Sequence, residues 1–116
     1  MTTSLPLLPS DMSAACCATV TGRVISAEEA ERTARIFKAL SDPTRVRLLS
    51  LISASDDEEA CICNLTEPVG LSQPTVSHHM KQLVDAGLVT REQRGRWAYF
   101  RVVADALEQA SRSLRA

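Results

Sequence analysis

The chain has 116 residues, 45% hydrophobic and 23% charged, with a formal net charge of −1. That length and balance fit one globular domain with a small core, which aromatics at only 3% make aliphatic. No stretch approaches the ~20 apolar residues of a membrane span, and "MTTSLPLLPSDMSAACC" lacks the basic start and apolar run of a secretory signal, so a cytoplasmic protein is expected.

Residues 1–25 hold Ser, Thr, Pro and small residues without helical periodicity, which predicts an arm, flexible at least at its start. A folded domain over 26–116 follows. Ser26 is an N-cap candidate, with Glu28 and Glu29 in the first turn, where carboxylates complement the helix dipole. The helix continues through "AEEAERTARIFKAL", placing Ala30, Ala34, Phe37 and Leu40 near one face. In "SDPTRVRLLSLI", Asp42 before Pro43 signals a second helix start, and Val46, Leu48, Leu49 and Ile52 supply its apolar stripe. "SASDDEE" breaks that pattern as an acidic, solvated loop, and a short helix is expected over "ACICNLTEPV", stopping near Pro68 and Gly70.

"LSQPTVSHHMKQLVDAGLV" predicts a further helix, from Ser72 as N-cap to Gly87 as C-terminal cap, with Pro74 in the first turn. Val76, Met80, Leu83 and Val84 form its inward stripe. Gln73, Thr75, Ser77, His78 and Lys81 face outward, and of His78 and His79 one points out while the other meets the interior or its rim. Beyond Gly87 the period shortens, and "LVTREQRGRWAYFRVV" reads as two strands joined around Arg94-Gly95. Arg91, Arg94 and Arg96 stand at its tip. "ADALEQASRSLRA" closes the chain as a weakly amphipathic helix.

Two helices, a short turn and a basic hairpin describe a winged helix-turn-helix: mainly α, with a small β-hairpin. A helix fits the DNA major groove and reads base edges with its outward residues, while hairpin arginines reach phosphates or the minor groove. Charge is separated accordingly. Lys81, Arg91, Arg94, Arg96 and Arg101 outnumber Asp85 and Glu92 over 71–101, whereas 54–67 carries Asp56, Asp57, Glu58, Glu59 and Glu67 with no basic residue. Double-stranded DNA is the expected partner, and Gln73, Thr75, Ser77, His78, Lys81, Arg91, Arg94 and Arg96 are the candidate contacts.

The chain's four cysteines form two clusters, Cys16 with Cys17 and Cys61 with Cys63. Reduced thiols in a cytoplasmic protein point to metal binding or redox chemistry more than to structural disulfides. On a regular helix Cys61 and Cys63 would diverge by about 200°. Either that turn is distorted, or one thiol binds alone, or the ligand set is completed elsewhere, for which only Cys16 and Cys17 remain. Thiolates select thiophilic ions such as Cd(II), Pb(II), Zn(II) or Cu(I), and three of them suit trivalent arsenic or antimony. A second reading is a thiol redox switch, in which oxidation releases DNA. A thiol-dependent enzyme is not expected, because no Cys-x-x-Cys, anion loop or general base accompanies the thiols.

"FKALSDPTRVRLLSLI", "CICNL" and "GLSQPTVSHHMKQLVDAGLV", with the hairpin, resemble the ArsR/SmtB family of metal-responsive repressors over about residues 30–103. The resemblance implies a homodimer built through the terminal helices, operator DNA as partner, and release on metal binding. It also implies Ser72–Ala86 as recognition helix and Arg91–Arg101 as wing. Cys61 and Cys63 match the family's Cys-x-Cys. Thr66 stands where some arsenic sensors carry a third cysteine, and the adjacent pair Cys16-Cys17 is similar to members that draw a thiol from the N-terminus. The family's implied inducer is then arsenite, with antimonite next and Cd(II) or Pb(II) held by four thiolates as the competitor. The histidine-containing zinc site of other members has no counterpart on the last helix.

Overall fold

The computed structural model describes residues 19–20 and 22–115, and the start of the expected arm, with Cys16 and Cys17, lies outside them. Helix α1 spans Ala27–Ala39, and the Ser26 hydroxyl accepts from the Glu29 amide at 3.1 Å, as expected for the cap. Its buried residues are Thr33, Ile36 and Ala39, not the stripe read from the sequence. Ala30, Ala34 and Phe37 turn outward, Phe37 with 41% of its surface exposed, and only Leu40 is half-buried. The helix is apolar on two adjacent faces, and the single chain covers one of them.

Helix α2, Pro43–Ser53, begins where Asp42 accepts from the amides of Thr44 (2.7 Å) and Arg45 (3.3 Å). Leu48, Leu49 and Ile52 go inward, whereas Val46, expected beside them, is 47% exposed. A 3-10 turn over Asp56–Glu58 follows in the acidic loop, with Asp57 and Glu58 at positive φ.

The short helix expected over "ACICNLTEPV" is absent in that form. Strand β1, Glu59–Cys61, is followed by a 3-10 turn at Ile62–Asn64 and the single-turn helix α3, Thr66–Val69. The cause is a partner distant in sequence: β1 pairs antiparallel with β3, aligning Glu59 with Arg101 and Cys61 with Tyr99. Gly70, at φ 71, ends α3 with its amide on the Thr66 carbonyl.

Helix α4, Gln73–Asp85, starts at the Ser72 cap. It ends at Gly87, whose φ of 82 lets the Leu88 amide reach back to the Leu83 carbonyl at 3.0 Å. Strands β2, Val89–Arg94, and β3, Trp97–Val102, form a hairpin closed by Gly95 and Arg96, with Gly95 first at φ 62 as a II′ turn requires. Trp97 sits at the hairpin end opposite Arg94, 39% exposed. Helix α5, Ala104–Ser113, packs on α1, where the Ser113 hydroxyl donates to Glu29. The sheet order is β1-β3-β2.

The core is aliphatic, as composition requires. Leu48, Ile52, Val76, Met80, Leu83 and Leu88 are fully buried, and Phe100 is the aromatic that joins them. An ionic fastening holds the other face of the sheet. Arg94 donates to both carboxylate oxygens of Glu59 and to Glu92, its guanidinium lies 4.4 Å above the Tyr99 ring, and Arg101 reaches Glu59 at 3.3 Å. The hydrogen bond from Arg94, outweighing partial desolvation, holds the Glu59 carboxyl below the usual carboxylate range.

Two outcomes follow. Leu83→Ala should cost about 2–5 kcal/mol of folding stability in urea unfolding, because the site is closed on all sides. Glu59 is ionised more readily when folded than unfolded, so its contribution is present above an unfolded pKa of about 4.3 and lost as pH falls through the lower folded value. The urea midpoint of the native chain should therefore exceed that of Glu59→Gln at pH 7, with the gap closing in acid. A gap independent of pH would show that the fastening is not ionic.

Candidate nucleic-acid interface and thiol site

Helix α4 is inserted between α2 and the sheet by Val76, Met80 and Leu83, which fixes what its other side presents. Gln73, Thr75, Ser77, His78 and Lys81 are all exposed there. The cap holds Thr75, since the Ser72 hydroxyl donates to Thr75 Oγ1 at 3.0 Å. Lys81 lies 2.9 Å from Asp85, an exposed pair one helical turn apart. His78 points outward and His79 is half-buried at the rim, with ring centroids 6.2 Å apart.

Arg45, which the sequence reading passed over, aims this helix. Its Nε donates to the Ala39 carbonyl at 2.6 Å, and its Nη1 lies 3.2 Å from His79 Nδ1. A guanidinium only donates, so Nδ1 accepts and the proton of a neutral imidazole sits on Nε2. One side chain of α2 thus ties the end of α1 to the middle of α4.

Helix α4 and the hairpin enclose a cleft of about 460 Å³, lined on its polar side by Gln73, Ser77, Lys81, Arg91, Gln93 and Arg96 and floored by Ile62, Ala98 and Phe100. Five of the eight expected DNA-contact residues meet here. Thr75 and His78 lie on the exposed face of α4 outside the cleft lining. Arg94 is on the opposite side of the hairpin, since successive side chains of a strand alternate faces. There it is engaged by Glu59 and Glu92, whereas Arg91 and Arg96 have no ion-pair partner among the described residues. Gln93 belongs to the cleft and was missed: it accepts from Arg91 at 2.6 Å and donates to the Gly95 carbonyl at 3.0 Å. Its spacing of two from Arg91 was the available signal.

The two downstream cysteines converge. Cys61 ends β1 in extended conformation (φ −76, ψ 144) and Cys63 lies in the next turn, so the divergence of a regular helix does not arise. They are disulfide-bonded, with Cα atoms 5.2 Å apart, and the Cys63 amide donates to Cys61 Sγ at 3.3 Å. Cys61 is buried, at 3% exposure, while Cys63 is exposed. Once reduced, the pair offers two soft donors from one turn, which fits a thiophilic ion but does not complete a three- or four-thiolate set. No group of three or more potential ligands is found among the described residues.

Residues 42–91 match the family described as "Bacterial regulatory protein, arsR family". The chain is 42% identical over 79 residues to an arsenical resistance operon repressor of Staphylococcus xylosus, an alignment covering 68% of this chain and 73% of the relative. It is 35% identical over 82 residues to an uncharacterized HTH-type transcriptional regulator of Methanocaldococcus jannaschii, covering 71% of this chain and 90% of that one. In structure it is similar to the homodimeric winged helix-turn-helix DNA-binding domain of a possible ArsR-family transcriptional regulator from Mycobacterium bovis. That match has a TM-score of 0.62 at 23% identity, over 78% of this chain and 84% of the other, a likeness of fold. These relatives are transcriptional regulators, and the chain belongs to the ArsR family of bacterial regulatory proteins.

Proposed function

We propose that the protein is a repressor that binds operator DNA as a homodimer and leaves it when arsenite or antimonite binds its cysteine thiolates. The observation that carries the DNA half is the convergence of Gln73, Ser77 and Lys81 with Arg91 and Arg96 around one cleft. Helix α4 enters the major groove, where Gln73, Thr75, Ser77 and His78 meet base edges. Lys81, Arg91 and Arg96 meet phosphates. Arg94, expected among these contacts, acts by shaping the hairpin, because two carboxylates already neutralise it. A single reading helix covers too few base pairs for selectivity, and Phe37, Leu107 and Leu114 leave apolar surface on α1 and after the start of α5, at 41%, 38% and 65% exposure, for a second copy to cover.

The inducer half rests on thiol chemistry and on the arsenical resistance repressor among the relatives. Cys61 and Cys63 supply two thiolates to trivalent arsenic or antimony, and Cys16 or Cys17 of the 1–25 arm supplies the third. Binding would tie the arm to the turn after β1. That strand is in register with β3 of the wing, so tension at the turn moves the wing relative to α4. A coupling of ~1–3 kcal/mol corresponds to a roughly 5–150-fold loss of DNA affinity. The competing inducer, Cd(II) or Pb(II), would use all four thiolates.

Gel-shift titrations at several salt concentrations separate the arginines. Arg91→Ala and Arg96→Ala should each flatten the salt dependence by about one unit of log–log slope, and Arg94→Ala should leave it unchanged while weakening binding. Equal slopes for all three would remove the distinction. Alanine at Gln73, Ser77 or His78 should cost about 1–3 kcal/mol on the preferred duplex and much less on random DNA.

Titration of the DNA complex with arsenite, antimonite, Cd(II), Pb(II) and Zn(II) tests the inducer. Arsenite should release the native chain, whereas the Cys16→Ser, Cys17→Ser variant should bind DNA normally and stay bound. Release of that variant at the same arsenite concentration would exclude the arm from the sensor.

A further inference from the structure

The Cys61–Cys63 pair is bonded in a fold that is otherwise intact. The 5.2 Å Cα separation lies within the ~4.4–6.8 Å span of a disulfide, so this backbone accommodates the bond. Burial divides the labour. Cys63 is exposed to a solvent-borne oxidant, and Cys61 is held beside it, shielded at the end of a paired strand. With the bond closed, β1 is in register on β3, α4 has both caps, and Ile62, between the two cysteines, is packed beneath the cleft. The cleft lining is thus complete in the bonded form.

We infer that Cys61 and Cys63 form a reversible oxidation site at which a hydroperoxide makes the protein deaf to arsenite while leaving it on DNA. The Cys63 thiolate attacks the terminal peroxide oxygen, the O–O bond breaks, and a sulfenic acid forms as water or alcohol departs. The Cys61 thiol then attacks that sulfur, an S–S bond forms, and the hydroxyl leaves as water. Two sulfurs give up two electrons in total, and the peroxide takes both. The product carries no thiolate at either position, so trivalent arsenic loses two of its three donors. This reverses the sign of the redox switch expected from sequence, in which oxidation releases DNA. The blocking of arsenite rests on the proposed inducer site, whereas retention of DNA does not.

The test uses the full chain and the Cys16→Ser, Cys17→Ser variant, reduced with a phosphine or oxidised with hydrogen peroxide, then desalted. Non-reducing peptide mapping should find the 61–63 peptide two hydrogen masses lighter after peroxide in both proteins, and restored by the phosphine. On a duplex selected from a random library by the reduced chain, the oxidised chain should bind with unchanged affinity. The arsenite needed for half-release should rise more than ~10-fold, within the usual range of coupling between sites. Dissociation on oxidation without arsenite, absence of the 61–63 bond, or release of the oxidised chain at the original arsenite concentration would each overturn the inference alone. A reduced chain that ignores arsenite would instead overturn the inducer reading, and the blocking half with it.

Discussion

Strand β3 is hydrogen-bonded along both edges, and the rest of the molecule is arranged by that fact. On one side it holds β2 and so makes the wing. On the other it holds β1 and so draws the cysteine turn against the wing, although about forty residues separate them in sequence. Ala98 and Phe100 point into the core against α2 and α4, and Tyr99 and Arg101 point to the opposite face, where Glu59 gathers the arginines. The period of two thus assigns packing to one face of the strand and charge to the other.

This arrangement explains how a chain of net charge −1 can present a basic cleft. The acidic segment that runs into β1 is not simply solvated. Its last residue, Glu59, neutralises Arg94 and Arg101, fixing the hairpin, while Arg91 and Arg96 on the cleft side keep their charge available. The arginines of one hairpin therefore divide between an ion-paired face and the cleft, a division that total charge cannot reveal.

What the sequence made legible was local. Ser26, Asp42 and Ser72 were read as caps because the side-chain oxygen and the amide it serves are neighbours in the chain, and each makes that bond. The hairpin turn and the inward stripe of α4 were legible for the same reason. What failed depended on distant partners. "EACIC" has no strand signature of its own, since three residues are too few for periodicity, and only pairing with β3 extends it. Phe37 and Val46 were assigned to the interior because apolar spacing cannot tell a face buried within the chain from one left open. Proximity in sequence groups Arg94 with Arg91 and Arg96; alternation along β2 turns it to the other face, and the carboxylate that engages it there, Glu59, lies far upstream in sequence. The convergence of Cys61 and Cys63 follows from strand geometry that a helical reading hides.

Trp97 is the chain's one tryptophan, and it stands at the end of the wing, partly exposed, paired across the hairpin with Arg94. The indole emission of the whole molecule therefore comes from that spot. Trp97 shares the face of Arg94, away from the cleft, so any change in how Arg94 is held by Glu59 changes the surroundings of this ring. The protein carries an intrinsic optical reporter of the ionic fastening on that face, readable in real time without a dye.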